Sequence, residues 1–153
     1  MDVLKVIKKV EPKKENLLNI LHVLQDSHPQ NYLPDDTLAH VARYLNLPLS
    51  SVSGVVGYYS MFSRKPRGRF IVRICNSPVC NLNSSEDIIT LVQEILGVKP
   101  GQTTPDNLFT VEESECLGRC GKAPSMMVNQ IFYGKLNRER LEKIFSDIKN
   151  GIQ

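Results

Sequence analysis

The four cysteines of this 153-residue chain are the residues whose type and spacing could do chemistry, and they fall into two pairs. Cys75 and Cys80 have C-x4-C spacing, and Cys116 and Cys120 have C-x3-C spacing. Four thiolates can form disulfides, bind zinc, carry out dithiol redox chemistry or hold an iron–sulfur cluster. The spacing and its surroundings decide which of these chemistries the sequence favours.

Disulfides and dithiol redox chemistry fit this sequence poorly. Disulfide-rich small chains are typically secreted, but residues 1–11 are charged and lack the apolar segment of a signal peptide. Dithiol redox chemistry is typical of C-x-x-C, a spacing that neither pair has. Free thiols without a signal peptide predict a cytoplasmic location, where the environment is reducing.

Zinc and an iron–sulfur cluster both stay open on spacing alone. Structural zinc sites pair their cysteines as C-x2-C to C-x4-C around one tetrahedral ion, so these pairs are wide for zinc but usable. A [2Fe–2S] cluster spreads its four ligands over two irons, and the plant-type ferredoxin pattern also begins with C-x4-C. The spacing therefore favours one [2Fe–2S] cluster between two loops, with zinc as the alternative.

Each cysteine pair follows a short apolar run that predicts a β-strand. Residues 70–74 lead directly into Cys75, and residues 108–111 lead through an acidic approach to Cys116. Because both loops follow strands, they can converge at one edge of a sheet. The second half is further predicted to hold a helix capped by Ser84, a hairpin about residues 129–130 and a last helix capped by Asn137.

The first half of the chain is predicted to form a helical subdomain. Apolar stripes at helical spacing predict three helices, over about residues 13–26, 33–46 and 50–62. Residues 1–11 are predicted to be poorly anchored. The third helix contains Gly54 and Gly57, which are costly in a helix interior, and we expect them to permit close approach of another backbone. Its aromatic residues are expected to form a surface that seals the subdomain onto the next domain or docks a partner subunit (Tyr58, Tyr59 and Phe62).

Composition excludes several classes of function. Apolar residues make up 41% and charged residues 23% of the chain, as in ordinary globular proteins. The net charge of +3 is too small to indicate nucleic-acid binding, and no apolar run is long enough to insert directly into a membrane. The sequence has neither G-x-G-x-x-G after a strand nor a P-loop, so no nucleotide site is predicted on this chain.

The residues around the cysteines resemble those of a known family. Residues 115–124 read ECLGRCGKAP and continue to Val128-Asn129 and residues 133–136, while residues 55–62 read VVGYYSMF. Together with both cysteine spacings, these strings resemble the thioredoxin-like [2Fe–2S] ferredoxin family. The resemblance runs from about residue 16 to residue 148. One departure is the stretch 81–84, NLNS, where many members have a basic residue and a glycine.

The resemblance implies a fold and a site. The polar, turn-rich stretch 63–68 predicts a boundary between the N-terminal helical subdomain, residues 1–65, and a second domain, residues 66–153. The resemblance implies that this second domain is a thioredoxin-like [2Fe–2S] domain, so the chain would be α+β. It also implies that the cluster ligands are Cys75, Cys80, Cys116 and Cys120. Backbone N–H groups near Ser77, Gly118 and Gly121 and the cations Arg73, Arg119 and Lys122 are candidates to offset the charge of the cluster.

The resemblance also implies partners. A one-electron carrier without flavin needs a protein that splits the electron pair of a hydride. The family implies an iron–sulfur flavoprotein subunit carrying FMN and the NAD(P) site, and a further catalytic subunit. The chain itself would be a non-catalytic electron-transfer subunit of an NAD(P)-linked oxidoreductase. Its short length favours the hydrogenase or formate dehydrogenase type, with the NADH:quinone oxidoreductase type next.

Two other functions compete with this interpretation. A freestanding ferredoxin would be stable without partners, but it would not need the helical subdomain. A zinc-stabilised, non-redox interaction module would use the same cysteines, and metal content separates it from the two redox functions.

Overall fold

A computed structural model describes residues 3–8 and 10–151 of the chain. The chain divides into two compact units, Met1–Arg67 and Gly68–Gln153. The first unit is helical, and the second contains a four-stranded sheet with helices. The predicted α+β class is therefore confirmed, whereas the predicted domains at residues 1–65 and 66–153 stay a prediction.

The described part of the first unit contains four α-helices. They enclose an apolar core to which every one of them contributes, including Ile7, Leu21, Leu38 and Val52. A 3₁₀ turn, Lys14–Asn16, precedes the second helix. The helices are α1 (Val3–Ile7), α2 (Leu17–Ser27), α3 (Asp35–Leu45) and α4 (Leu49–Tyr58).

The N-terminal segment is anchored where the structure describes it, so the prediction for residues 1–11 is wrong there. Ile7 is only 1% exposed and lies in the core of the first unit. The Tyr44 hydroxyl donates a hydrogen bond to the Val10 carbonyl at 2.7 Å. Residues 1, 2 and 9, on which the prediction also falls, lie outside the described residues. The sequence pattern of this segment was too short to show the contact that holds it.

Helix α4 ends at Tyr58, four residues before the predicted end. The residues that follow the helix are held in a turn by the buried side chain of Gln25. The Gln25 side-chain amide donates to the Met61 carbonyl at 3.0 Å and accepts from the Ser63 N–H at 2.8 Å. This turn carries Phe62 into the core, so its predicted place on an aromatic surface is wrong. Tyr58 is exposed, as predicted.

The glycines of α4 do not mark a close backbone approach, and that expectation is wrong. A Cβ atom built on Gly54 or on Gly57 would have no other atom within 4 Å. Both residues are exposed. The structure therefore gives no packing reason for glycine at either position.

Alanine at position 54 is expected to stabilise the first unit. Gly54 has an ordinary helical backbone and open space around it, while glycine inside a helix costs about 0.5–1 kcal/mol relative to alanine. Gly54→Ala should therefore raise the free energy of unfolding by about that amount, measured by denaturant titration. A lower stability would show that the space around residue 54 is not free in solution.

The described part of the second unit contains four strands and three α-helices, packed around one apolar core. A 3₁₀ turn, Cys120–Lys122, lies between the second and third strands. The elements are β1 (Phe70–Cys75), α5 (Pro78–Asn81), α6 (Ser85–Leu96), β2 (Phe109–Ser114), β3 (Ser125–Val128), β4 (Ile131–Gly134) and α7 (Arg138–Lys149).

The sheet has the strand order β2-β1-β3-β4. Strands β1 and β2 are parallel, with Phe70 opposite Phe109 and Cys75 opposite Ser114. The other two pairings are antiparallel. Parallel pairing requires a crossover connection, which α6 provides. As a result, the chain leaves β1 and β2 at the same edge of the sheet.

The hairpin turn between β3 and β4 also extends the pairing of β1. Asn129 adopts a left-handed backbone, φ 52°, as two-residue hairpin turns require. Its backbone N–H donates to the Ile71 carbonyl at 2.9 Å, and its side-chain oxygen accepts from the Ile71 N–H at 2.8 Å. The predicted hairpin about residues 129–130 is thus confirmed.

The two predicted helix caps have different outcomes. The Asn137 side chain accepts a hydrogen bond from the Arg140 N–H at 2.9 Å, so it caps α7 as predicted. Ser84 precedes α6, but its side chain makes no capping bond and its backbone is left-handed, φ 64°. The predicted cap is therefore wrong, and Ser84 occupies a conformation that glycine adopts at lower cost.

Within the described residues, the helices are too short or too polar to cross a lipid bilayer.

Candidate metal centre

The first cysteine loop begins inside the core of the second unit. Cys75 is the last residue of β1, and Cys80 lies on α5, the single turn that Pro78 opens. Both cysteines are buried, with 1% exposure each. The Ser85 hydroxyl, also buried, donates to the Cys75 carbonyl at 2.5 Å. The first loop is thus tied to the start of α6.

The second cysteine loop is exposed. Cys116 and Cys120 follow the end of β2, and their sulfur atoms lie 3.5 Å apart. Gly118 has a left-handed backbone, φ 75°, and its N–H donates to the Cys116 sulfur at 3.4 Å. Cys120 opens the 3₁₀ turn. The turn at Gly118 therefore brings the two sulfurs of this pair together.

The parallel pairing of β1 and β2 brings the two loops to one edge of the sheet. Beyond the last strand pair, the Asn76 N–H donates to the Ser114 carbonyl at 2.8 Å, and the Asn76 side chain donates to the Glu113 carboxylate at 2.6 Å. The second loop also affects a thiol of the first, since the backbone N–H of Leu117 helps to lower the pKa of Cys75. The predicted convergence of the two loops is what the structure shows.

The pKa of the Cys75 thiol reflects this convergence. Burial raises that pKa, but hydrogen bonds from the Ser77 hydroxyl and the Leu117 N–H help to outweigh burial, and the net shift is downward. A lowered pKa favours the thiolate, which is the form that binds metals.

The pKa of the Cys120 thiol shifts in the opposite direction. The neighbouring Cys116 raises it through a hydrogen bond and its charge, and burial and the charge of Cys80 raise it further. A bound metal cation would relieve the repulsion between the thiolates of Cys116 and Cys120.

Two buried serine hydroxyls lie against the sulfurs of the first pair. The Ser77 hydroxyl is 3.3 Å from the Cys75 sulfur, and the Ser125 hydroxyl is 3.6 Å from the Cys80 sulfur. When the cysteines are thiolates, only the hydroxyls can donate. The sequence pattern did not identify the Ser125 hydroxyl, because this residue lies 45 positions from Cys80. Its place at the start of a strand after Pro124 was the only available signal.

Only some of the N–H groups and cations that were predicted to offset the charge of the cluster lie against the cysteine sulfurs. The Gly118 N–H donates to the Cys116 sulfur as expected, and the Ser77 N–H helps to lower the pKa of the Cys75 thiol. Within the described residues, no such bond from Gly121 to a cysteine sulfur is found. Arg73 forms a salt bridge at 3.3 Å to Glu112. The Arg119 guanidinium lies 4.9 Å from the centre of the Phe132 ring.

The backbone after the second loop is held by β4. The Lys135 N–H donates to the Lys122 carbonyl at 2.8 Å, and the Leu136 N–H donates to the Pro124 carbonyl at 3.2 Å. The Ala123–Pro124 peptide bond is cis. A Cβ atom at Gly134 would lie 2.6 Å from the Lys122 carbonyl oxygen, so this close approach requires glycine.

The donor set fits a thiolate-bound iron–sulfur cluster. Four cysteine sulfurs are arranged as two pairs, with N–H and O–H donors directed at three of the sulfurs. Sulfur ligands of this kind suit iron–sulfur clusters and zinc. In the described part of the chain, no three Cys, His, Asp or Glu side chains surround a single point in a way that suits one metal ion.

The chain is similar to known proteins over nearly its whole length. The sequence model of the thioredoxin-like [2Fe-2S] ferredoxin family matches residues 3–149. The chain is 37% identical over 134 residues to a NADH-quinone oxidoreductase subunit of Aquifex aeolicus, with 88% of this chain and 82% of that protein covered. It is 34% identical over 150 residues to the protein of the same name from Rickettsia felis, with 97% and 89% covered.

Solved structures share the fold. The chain superimposes on an NAD+-reducing [NiFe]-hydrogenase in the air-oxidized state with a TM-score of 0.77 and 21% identity. The match covers 90% of this chain and 23% of the hydrogenase chain. The H2-reduced state of an NAD+-reducing [NiFe]-hydrogenase gives a TM-score of 0.78 at 20% identity. At this level of identity the likeness concerns the fold alone.

Proposed function

The chain belongs to the thioredoxin-like [2Fe-2S] ferredoxin family, and from this membership we propose that it is an electron-transfer subunit of a multisubunit NAD(P)-linked oxidoreductase. One [2Fe–2S] cluster would supply one-electron transfer. The ligands that we propose are Cys75, Cys80, Cys116 and Cys120. The observation that carries the proposal is the convergence of the two cysteine loops at the edge of the sheet where β1 and β2 end.

The two loops have different roles in this proposal. The first pair is buried and receives hydrogen bonds from hydroxyls, so it anchors the metal centre to the core. The second pair is exposed, so it forms the edge that another protein can approach. An electron carrier needs both properties, because the centre must be held rigidly and must still be reached by its partner.

The relatives support a place in a larger assembly. Those that share sequence are named as parts of NADH-quinone oxidoreductase, and those that share the fold are named as NAD+-reducing hydrogenase. We propose an iron–sulfur flavoprotein with FMN and the NAD(P) site as the direct partner and a further catalytic subunit beyond it. The preference for the hydrogenase or formate dehydrogenase type over the NADH:quinone oxidoreductase type, and the cytoplasmic location, stay predictions.

Reduction by NADH is expected to require the flavoprotein. The chain alone should stay oxidised when mixed with NADH, because hydride donors need a flavin to deliver single electrons. Addition of the flavoprotein subunit should produce the electron paramagnetic resonance signal of this chain. Reduction by NADH without the flavoprotein would contradict the proposed division of roles, and a stable complex would argue against a freestanding ferredoxin.

Loss of the Ser125 hydroxyl is expected to lower the midpoint potential of the metal centre. A hydroxyl that donates to a thiolate stabilises the more negative, reduced state. A hydrogen bond contributes about 0.5–1.5 kcal/mol, which corresponds to about 20–60 mV for one electron. Ser125→Ala should therefore shift the potential downward by about that amount in a redox titration followed by electron paramagnetic resonance.

Matched serine variants separate this effect from a general loss of packing. Ser77→Ala should also lower the potential, because its hydroxyl lies 3.3 Å from the Cys75 sulfur. Ser84→Ala should leave the potential unchanged, because Ser84 is exposed and its side chain makes no capping bond. An unchanged or raised potential in Ser125→Ala would show that its hydroxyl does not donate to the Cys80 sulfur.

A further inference from the structure

A pocket beside the second cysteine loop is lined by an unusual concentration of positive charge. Its volume is about 320 Å³, and four of its six lining residues are cations, with no carboxylate among them. All four cations are exposed. We refer to this site as the basic pocket, and its lining residues are Arg119, Lys122, Phe132, Gly134, Lys135 and Arg140.

The cations of the basic pocket lack paired carboxylates in the part of the chain that the structure describes. Among the described residues, none of the four forms a salt bridge to a carboxylate. In contrast, the nearby Arg138 pairs with Glu94 and lies 3.8 Å from Glu142. Like charges that converge without counterions repel each other, so this arrangement becomes favourable when an anion enters the pocket.

The backbone at Lys135 holds one of these cations in place at a cost. Lys135 has a left-handed backbone, φ 51°, which is uncommon for residues other than glycine and asparagine. Its N–H bond to the Lys122 carbonyl and the close approach at Gly134 fix this geometry. Strained backbone of this kind concentrates at functional sites. Lys135 thus places a cation at a position where asparagine or glycine would be less strained.

Arg140 also occupies a position that local stability disfavours. It is the third residue of α7, and its N–H donates to the capping side chain of Asn137. A cation in the first turn of a helix opposes the helix dipole. Lys135, with its left-handed backbone, and Arg140, in the first turn of a helix, thus both place positive charge around the same pocket at a cost in local stability. Such a cost indicates a functional role for the two cations, because neither contributes to the stability of the fold.

The pocket adjoins the exposed edge of the metal centre. Arg119 and Lys122 lie on either side of Cys120, whose sulfur belongs to the exposed pair. A group that binds in the basic pocket is therefore held next to this pair.

We propose that the basic pocket docks an acidic segment of the protein that exchanges electrons with this chain. The segment would present two or more Asp or Glu side chains to the four cations. Small-molecule sites are mostly apolar and enclose their ligand, whereas this pocket is lined by long, exposed cations. Complementary charge on exposed surfaces instead steers and orients protein partners. The identity of the partner as an electron carrier rests on the proposed function, but the charge of its docking segment does not.

A labelled hexaglutamate peptide is the probe that tests this docking surface. Binding to the full chain would be followed by fluorescence anisotropy at low ionic strength. We expect saturable binding that Arg140→Gln and Lys135→Asn each weaken by about two- to fivefold, which corresponds to about 0.5–1 kcal/mol for an exposed charge contact. Added salt should weaken binding further.

The variants are chosen so that loss of binding does not reflect unfolding. Asparagine tolerates the left-handed backbone at position 135, and Arg140→Gln removes a cation from a helix N-terminus. Both variants should therefore be at least as stable as the wild type. Lys99→Gln is the matched control, because Lys99 is an exposed cation of the second unit outside the pocket, and it should bind the peptide as the wild type does.

Three outcomes would overturn the proposal: no saturable binding, equal weakening in Lys99→Gln, or preference for inorganic pyrophosphate over the peptide. The last would identify a phosphate site instead of a protein docking surface. Iron and sulfide are measured on the same samples. Pocket-dependent binding by protein without sulfide would uphold the docking surface for acidic segments while the electron-transfer function fails. Protein that contains iron and sulfide but shows no pocket-dependent binding would remove the docking surface alone.

Discussion

Replacing Cys80 with alanine is expected to abolish assembly of the metal centre. Cys80 is buried beside Ser125 and contributes one of four proposed thiolate ligands, and its loss would leave only three thiolates to hold the proposed cluster. Iron and acid-labile sulfide should fall from about two of each per chain to less than about one tenth of that amount. Alanine is preferred to serine because a serine oxygen can also bind iron.

The matched control for this variant is Val79→Ala. Val79 is adjacent to Cys80, is 41% exposed and carries no metal-binding atom. Its iron and sulfide content should equal that of the wild type. Full retention of iron and sulfide in Cys80→Ala would remove Cys80 from the ligand set, and the proposed division into two thiolate pairs would be wrong.

A methyl group at position 134 is expected to destabilise the second unit and loosen its metal centre. The added Cβ would lie 2.6 Å from the Lys122 carbonyl oxygen and 2.7 Å from the Lys122 Cβ. Overpacking of this kind costs about 1–3 kcal/mol. Because the obstructed backbone includes the 3₁₀ turn that begins at Cys120, Gly134→Ala should also lose iron faster to a chelator.

Gly121→Ala separates crowding from a general effect of substitution near the metal centre. Gly121 follows Cys120 directly, but a Cβ there would meet nothing within 4 Å. Thermal unfolding and the rate of iron loss should therefore stay close to the wild type. Equal stability of Gly134→Ala and Gly121→Ala would contradict the close approach of β4 to the turn at Lys122.

The parts of the site that depend on local sequence were predictable. The two cysteine spacings, the apolar runs before them and the hairpin at Asn129 are all short-range patterns. They were sufficient to predict strands that end at one edge of a sheet, and the parallel register of Cys75 with Ser114 agrees with this.

The parts that depend on tertiary contacts were not predictable from these patterns. The end of α4 is set by Gln25, whose side chain bonds to Met61 and Ser63, more than thirty residues away. Ser84 fits the composition of a helix cap, but the tight turn after Cys80 gives it a left-handed backbone. The basic pocket likewise joins residues of the second loop, β4 and α7 that no sequence window contains together.

The most direct test of the central claim is iron, sulfide and electron paramagnetic resonance analysis of the wild-type chain, purified without oxygen and reduced with dithionite. We predict about two irons and two sulfides per chain and an S = 1/2 signal from the reduced [2Fe–2S] cluster. About one zinc per chain, with no sulfide and no signal, would contradict the claim and would identify a zinc-stabilised structural module.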